Sequence, residues 1–98
     1  MKPSFHDQVQ KEINEAAAWY EDQNPGLGRT FVRAVLATLE VIQKRPEGFG
    51  FFLGSISIRR SRLKRFPYDV LYEIRPDRIR ILCLRHWKRH PSYGQRRK

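Results

Sequence analysis

The apolar period changes once along the chain, and that change limits the folds open to it. Up to Pro46 the apolar residues recur every three to four positions; from Ile56 onward they alternate with polar neighbours. In the first half Val9, Ile13, Ala16, Ala17 and Tyr20 share one face of a helix expected over about Asp7–Asp22, with Asp7 placed to cap it. Asn24-Pro25-Gly26-Leu27-Gly28 then gathers the residues that end helices and make turns. Leu27, Phe31, Ala34, Val35, Leu39 and Ile42 form a second helical stripe that must stop by Pro46. Two amphipathic helices on a short turn make a hairpin with an apolar face still to cover.

The second half supplies the cover. After a Gly48–Gly54 loop, Ile56 and Ile58 alternate with polar residues, as do Tyr68, Val70, Tyr72 and Ile74. Pro76-Asp77 marks a turn, and Ile79, Ile81 and Cys83 then alternate with Arg80, Leu82 and Leu84. A short first strand around Phe5 completes the expected order (β)-α-α-β-β-β, an α+β domain with the helix hairpin on one face of a small antiparallel sheet. The same parity puts Leu71, Leu82, Leu84, Arg80 and His86 on the opposite face, apolar and cationic together, which suits a partner. The 98 residues are enough for one core, so a single domain is expected over 1–98, with Pro91–Lys98 a loose basic tail.

Charge follows the same division. Residues 1–50 carry six Lys/Arg against seven Asp/Glu, whereas residues 51–98 carry fourteen against three. The second half, at +11 against −1 for the first, therefore holds all of the net charge of +10 and would draw in a polyanion or an acidic protein. One cysteine, Cys83, excludes an internal disulfide and a cysteine-based metal cluster, and suits a reducing cytoplasm. His6 and His90 lack partners at metal-ligand spacing, and no GxxxxGK[ST] loop occurs, so no metal or cofactor is expected. The N-terminus lacks the apolar core of a secretory signal and no run approaches membrane-spanning length, so no membrane partner is expected.

Three groups of residues bear on function. The run Arg59-Arg60-Ser61-Arg62-Leu63-Lys64-Arg65, with Arg80, Arg85, Arg89, Arg96 and Arg97, offers guanidinium forks to phosphates or carboxylates. His86, followed by Arg89 and Tyr93, has the residue types for proton transfer and charge stabilisation in RNA cleavage. Trp19, Tyr20, Phe31, Phe66, Tyr68 and Tyr72 are aromatic, but their periodicity assigns most of them to core packing rather than base stacking.

Glu15 to Gln23, Pro25-Gly26-Leu27-Gly28, Ile58-Arg59-Arg60, Arg65-Phe66-Pro67-Tyr68-Asp69-Val70-Leu71-Tyr72-Glu73-Ile74 and Ile81 to His86, in that order and spacing, resemble the RelE/ParE toxin superfamily. The resemblance covers nearly the whole chain and implies a plasmid-stabilisation type of toxin, neutralised in a hetero-oligomer by an acidic antitoxin encoded next to it. It leaves two targets: ribosome-bound mRNA, cleaved by RelE-like members, or DNA gyrase, inhibited by ParE-like members. A nuclease of this type would use Arg59, Arg65, His86, Arg89 and Tyr93. Asp69, however, stands where the nucleases carry an arginine early in the third strand, and a carboxylate there would repel the scissile phosphate. RFPYxVLYE is closer to the ParE-like branch, for which Arg60, Arg62, Leu71, Arg80, Leu82, Leu84, Arg85, Arg96 and Arg97 are the expected antitoxin- or target-binding residues. A small nucleic-acid-binding module is the third reading, supported by charge alone.

Overall fold

The computed structural model describes residues 1–98. The elements run β1 (Pro3–Phe5), α1 (Val9–Gln23), α2 (Leu27–Lys44), a 3₁₀ turn (Pro46–Gly48), β2 (Ile58–Arg62), β3 (Tyr68–Ile74) and β4 (Ile79–His86). The sheet order is β1-β4-β3-β2. The β2-β3 and β3-β4 pairs are antiparallel, as alternation predicts, but β1 lies parallel to β4 with Phe5 opposite Ile81. The sheet is therefore mixed. A parallel neighbour needs a long crossover, and the helices with β2 and β3 supply it.

Helix α1 begins two residues later than expected and without a side-chain cap. Instead of Asp7 capping, His6 Nδ1 accepts the Gln8 N–H at 3.2 Å. At the other end Glu21 accepts hydrogen bonds from the N–H groups of Gly26 and Gly28 at 3.0 Å, which ties α1 to the N-terminus of α2 and holds its carboxyl below the usual range. Gly28 lies so close to α1 that a Cβ there would stand 2.7 Å from the Ala17 carbonyl oxygen. Any side chain at residue 28 would push the two helices apart.

The main core lies between the hairpin and the sheet: Val9, Ala16, Phe31, Val35 and Ile42 from the helices meet Val70, Tyr72, Ile79, Ile81 and Leu84. Tyr20, Phe31, Phe66 and Tyr68 pack ring to ring with centroids 4.9–6.4 Å apart and pin the β2-β3 turn to the helices.

The parity expected for β4 fails at one point. Leu71 pairs with Cys83 but Tyr72 pairs with Ile81, so Leu82 is an extra residue, a β-bulge. Because side chains alternate with period two, one inserted residue reverses every face beyond it. Leu84 therefore joins the helix-side core, and His86 stacks edge-on against Tyr68 at 4.9 Å on that same side. Cys83 moves to the far face with Leu82 and Leu71.

That far face is not an exposed leucine patch. Leu71 and Leu82 are fully buried and Leu84 nearly so. Phe52, from the loop before β2, and Tyr93, from the C-terminal segment, close over Leu71, Leu82, Cys83 and Ile58 as a second small core. Ile56, expected in a strand, lies outside β2 and is 91% exposed. Residues 91–98 are not loose either: Tyr93 and Arg97 both bind Glu12 of α1, and Gly94, at φ +81°, sits against Cys83. Burial beneath this segment and the neighbouring Glu12 push the Cys83 thiol up to about 12, which keeps it protonated.

Candidate functional site

The cationic half of the chain separates into three clusters. The first surrounds Asp69, whose carboxylate is buried on the far face of β3 and accepts the Trp87 indole N–H at 3.0 Å. Arg60 approaches it at 3.9 Å. Arg62 lies over the exposed Trp87 ring at 5.3 Å. Arg85 is buried beside them, donates to the Arg89 carbonyl at 2.6 Å, covers the Phe52 ring and leaves its Nε without a partner. Asp69 thus faces the indole and three arginines instead of solvent.

Burial raises the Asp69 pKa, outweighing the opposing pull of the Trp87 hydrogen bond and of Arg60, Arg62 and Arg85. Between the ordinary aspartate range and this raised value the folded chain holds more protons than the unfolded one, so Asp69 makes stability fall as pH rises through that window. The melting temperature of the native chain relative to Asp69→Asn is expected to decline from about pH 4 upward, then level off. A difference that grows with pH would mean that the arginines dominate.

The second cluster lines a recess between α1 and the end of β4, walled by Glu12, Glu15, Trp19, Tyr68, His86, Arg89 and Tyr93 among others. Three residues of the expected nuclease set, His86, Arg89 and Tyr93, therefore share one recess. His86 Nδ1 accepts the Lys88 N–H at 2.9 Å. Burial, then Lys88, Arg85 and Arg89, lower its pKa and favour the neutral ring. The Tyr93 hydroxyl donates to Glu12, and the Arg89 guanidinium lies 4.6 Å from the Tyr93 ring centre.

The other two members of that set lie elsewhere. Arg59 donates to the Phe49 carbonyl at 2.6 Å and covers Phe51, holding the loop before β2. Arg65 is exposed in the β2-β3 turn at φ +70°.

The third cluster is at the C-terminus. Arg97 pairs with Glu12 at 2.9 Å and donates to the Leu82 carbonyl at 3.1 Å, while Arg80 reaches Ser4 and the Lys98 carbonyl. Arg96 is exposed beside an open polar recess that it shares with His6, Ser92, Gly94, Arg97 and Lys98. Of the residues expected to bind a partner, Arg62 and Arg96 are exposed; Arg60, Arg80 and Arg97 are half-buried, and Leu71, Leu82, Leu84 and Arg85 are buried.

Two residues central to this geometry escaped sequence reasoning. Glu12 is a carboxylate three residues after Val9 and four before Ala16 on the buried stripe of α1, a placement that signals a buried polar partner. Trp87 carries no periodic signal beyond lying just past a strand.

A helix hairpin on a four-stranded mixed sheet is also the fold of a chain from the chromosomal ParDE TA system of P. aeruginosa. That chain is 16% identical, with a TM-score of 0.66 over 88% of this chain and 95% of its own. The family model for the ParE toxin of the type II toxin-antitoxin system, parDE, matches residues 4–91. The chain belongs to the ParE toxin family. A comparison with curated proteins finds no match. No helix is long and apolar enough to cross a membrane.

Proposed function

We propose that this chain is a cytoplasmic toxin that acts by inhibiting DNA gyrase without catalysis of its own, and that an acidic antitoxin encoded beside it neutralises it. The observation that carries this reading is how the nuclease-type residues are employed. Arg59 holds a loop, the Tyr93 hydroxyl is bonded to Glu12 and His86 Nδ1 already accepts a backbone N–H, so of the five only Arg65 and Arg89 are left open. A general base is useful only with a free nitrogen in reach of substrate, and a phosphate clamp only with a free guanidinium. The excess of cations on residues 51–98 supports an acidic partner that orders on binding.

The competing reading, ribosome-dependent mRNA cleavage, draws on the convergence of His86, Arg89 and Tyr93 on one recess. One experiment separates the two. Added to a gyrase supercoiling reaction, the purified chain is expected to block supercoiling, and the product of the adjacent reading frame is expected to restore it. Unaffected gyrase, together with codon-positioned mRNA cleavage that His86→Ala abolishes, would replace this reading with the nuclease one.

A further inference from the structure

At one end of the sheet, open ring faces and unpaired cations occur side by side. Trp19, 59% exposed, stands on the helix side of that end, and Trp87, 48% exposed, on the opposite face beside Asp69. Aromatic side chains grouped around one opening, unlike ones scattered singly, mark places where another molecule sits. Trp19, Tyr20, Pro67, Tyr68 and His86 wall an open recess of about 450 Å³. The segments 62–67 and 86–89 meet beside it, joined by the Trp87 N–H to the Pro67 carbonyl at 2.9 Å.

Those segments carry Arg62, Lys64, Arg65, Lys88 and Arg89, and none of the five has a carboxylate within 4.0 Å. The acids close by are largely engaged. Asp69 is buried under Trp87, Glu12 is bound by Arg97 and Tyr93, and Glu15 is an exposed partner of Lys11.

We infer that this end of the molecule binds single-stranded nucleic acid, stacking an unpaired base in the Trp19-Tyr68-His86 recess and holding the flanking phosphates on Arg89, Lys88 and Arg62. Ring faces interleaved with free cations match a ligand whose charge runs along a backbone and whose flat groups hang from it at each repeat. A duplex keeps its ring faces stacked inside and meets only the cations. The aromatic walls of the recess would then have no role. An acidic peptide would satisfy the cations but has no flat group at each repeat to fill the aromatic recess. Trp87 is held for stacking by its bond to buried Asp69, and Arg62 already covers one of its faces. This activity is additional to the toxin reading and does not rest on it.

Intrinsic fluorescence reports the site directly, since Trp19 walls the recess. Titration with a 12-residue oligo-dT or oligo-rU at low salt is expected to quench that fluorescence and to raise the anisotropy of a labelled strand. Trp19→Ala is expected to weaken binding about 10-fold while Trp19→Phe, which keeps a ring face, loses much less. Arg89→Ala is expected to flatten the dependence of log affinity on log salt by about 0.7. Trp19 is exposed, so circular dichroism of both variants should match the native chain.

Three results would overturn the inference. One is equal affinity for a duplex of the same length that Trp19→Ala leaves unchanged, which would reduce the surface to charge alone. Another is quenching by an oligo-glutamate peptide and not by either oligonucleotide, which would make it a protein-docking surface. The third is no response to any of these probes.

Discussion

Replacing Glu12 by alanine is expected to cost about 3 kcal/mol of stability and to release the C-terminal segment from the sheet. The Glu12 side chain is 11% exposed and Arg97 is 16% exposed. Besides the Tyr93 hydroxyl, Glu12 accepts the Leu84 N–H at 3.1 Å and two Arg97 nitrogens at 3.0 and 2.9 Å. These bonds close the edge of β4 beyond the reach of three-residue β1. The Leu84 N–H and the Leu82 carbonyl face outward there, and Glu12 and Arg97 satisfy them in place of a neighbouring strand. Alanine would leave a guanidinium, a hydroxyl and a backbone N–H short of a partner in a poorly hydrated place.

For a domain of this size that loss lowers the melting temperature by roughly 12–24 °C. Deleting Arg96–Lys98 removes Arg97 from the same network, so it should destabilise the fold as well as the toxic action. A double-mutant cycle over Glu12→Ala and Arg97→Ala, read by urea denaturation, checks the assignment. The two losses should be strongly non-additive, because each variant already breaks the same pair. Additive losses would mean that the two residues act separately.

The helix hairpin was legible because its signals are local. Apolar stripes from Val9 to Tyr20 and from Leu27 to Ile42, separated by Asn24-Pro25-Gly26, specify two helices whatever lies around them. The β3-β4 hairpin was legible in outline for the same reason. What alternation could not show is the bulge at Leu82, because pairing register is decided across strands and not along one. That single residue moved Cys83, Leu84 and His86 to the faces opposite those expected. It separated His86 from the arginines of the Asp69 cluster and brought it to Trp19 and Tyr68.

The docked tail was hidden in another way. Its anchors, Tyr93, Gly94 and Arg97, have no periodicity, and Glu12, the partner of Tyr93 and Arg97, lies more than 80 residues away in sequence. Asp69 was visible as an oddity in a basic segment, but the indole that holds it and the arginines that surround it come together only when β2 and β4 flank β3.

Leu71→Ala is expected to destabilise the chain by about 3 kcal/mol, and Leu82→Ala by a similar amount. On an exposed interface either change would stay within about 0.5 kcal/mol. Both side chains are fully buried with Phe52, Ile58 and Cys83, under the loop before β2 and the C-terminal segment. Truncation therefore opens a cavity between two layers that are held at only a few points, and those layers can collapse into it only by loosening Phe52 or Tyr93. Ile56→Ala is the internal comparison: Ile56 is equally apolar but 91% exposed, so its loss should leave the urea midpoint nearly unchanged. If Leu71→Ala behaved like Ile56→Ala, the second core would be a loosely closed lid over a partner-binding face. If it behaves as a core truncation, partner binding must be built from the residues left open around that core, Arg62, Trp87 and Arg96 first among them.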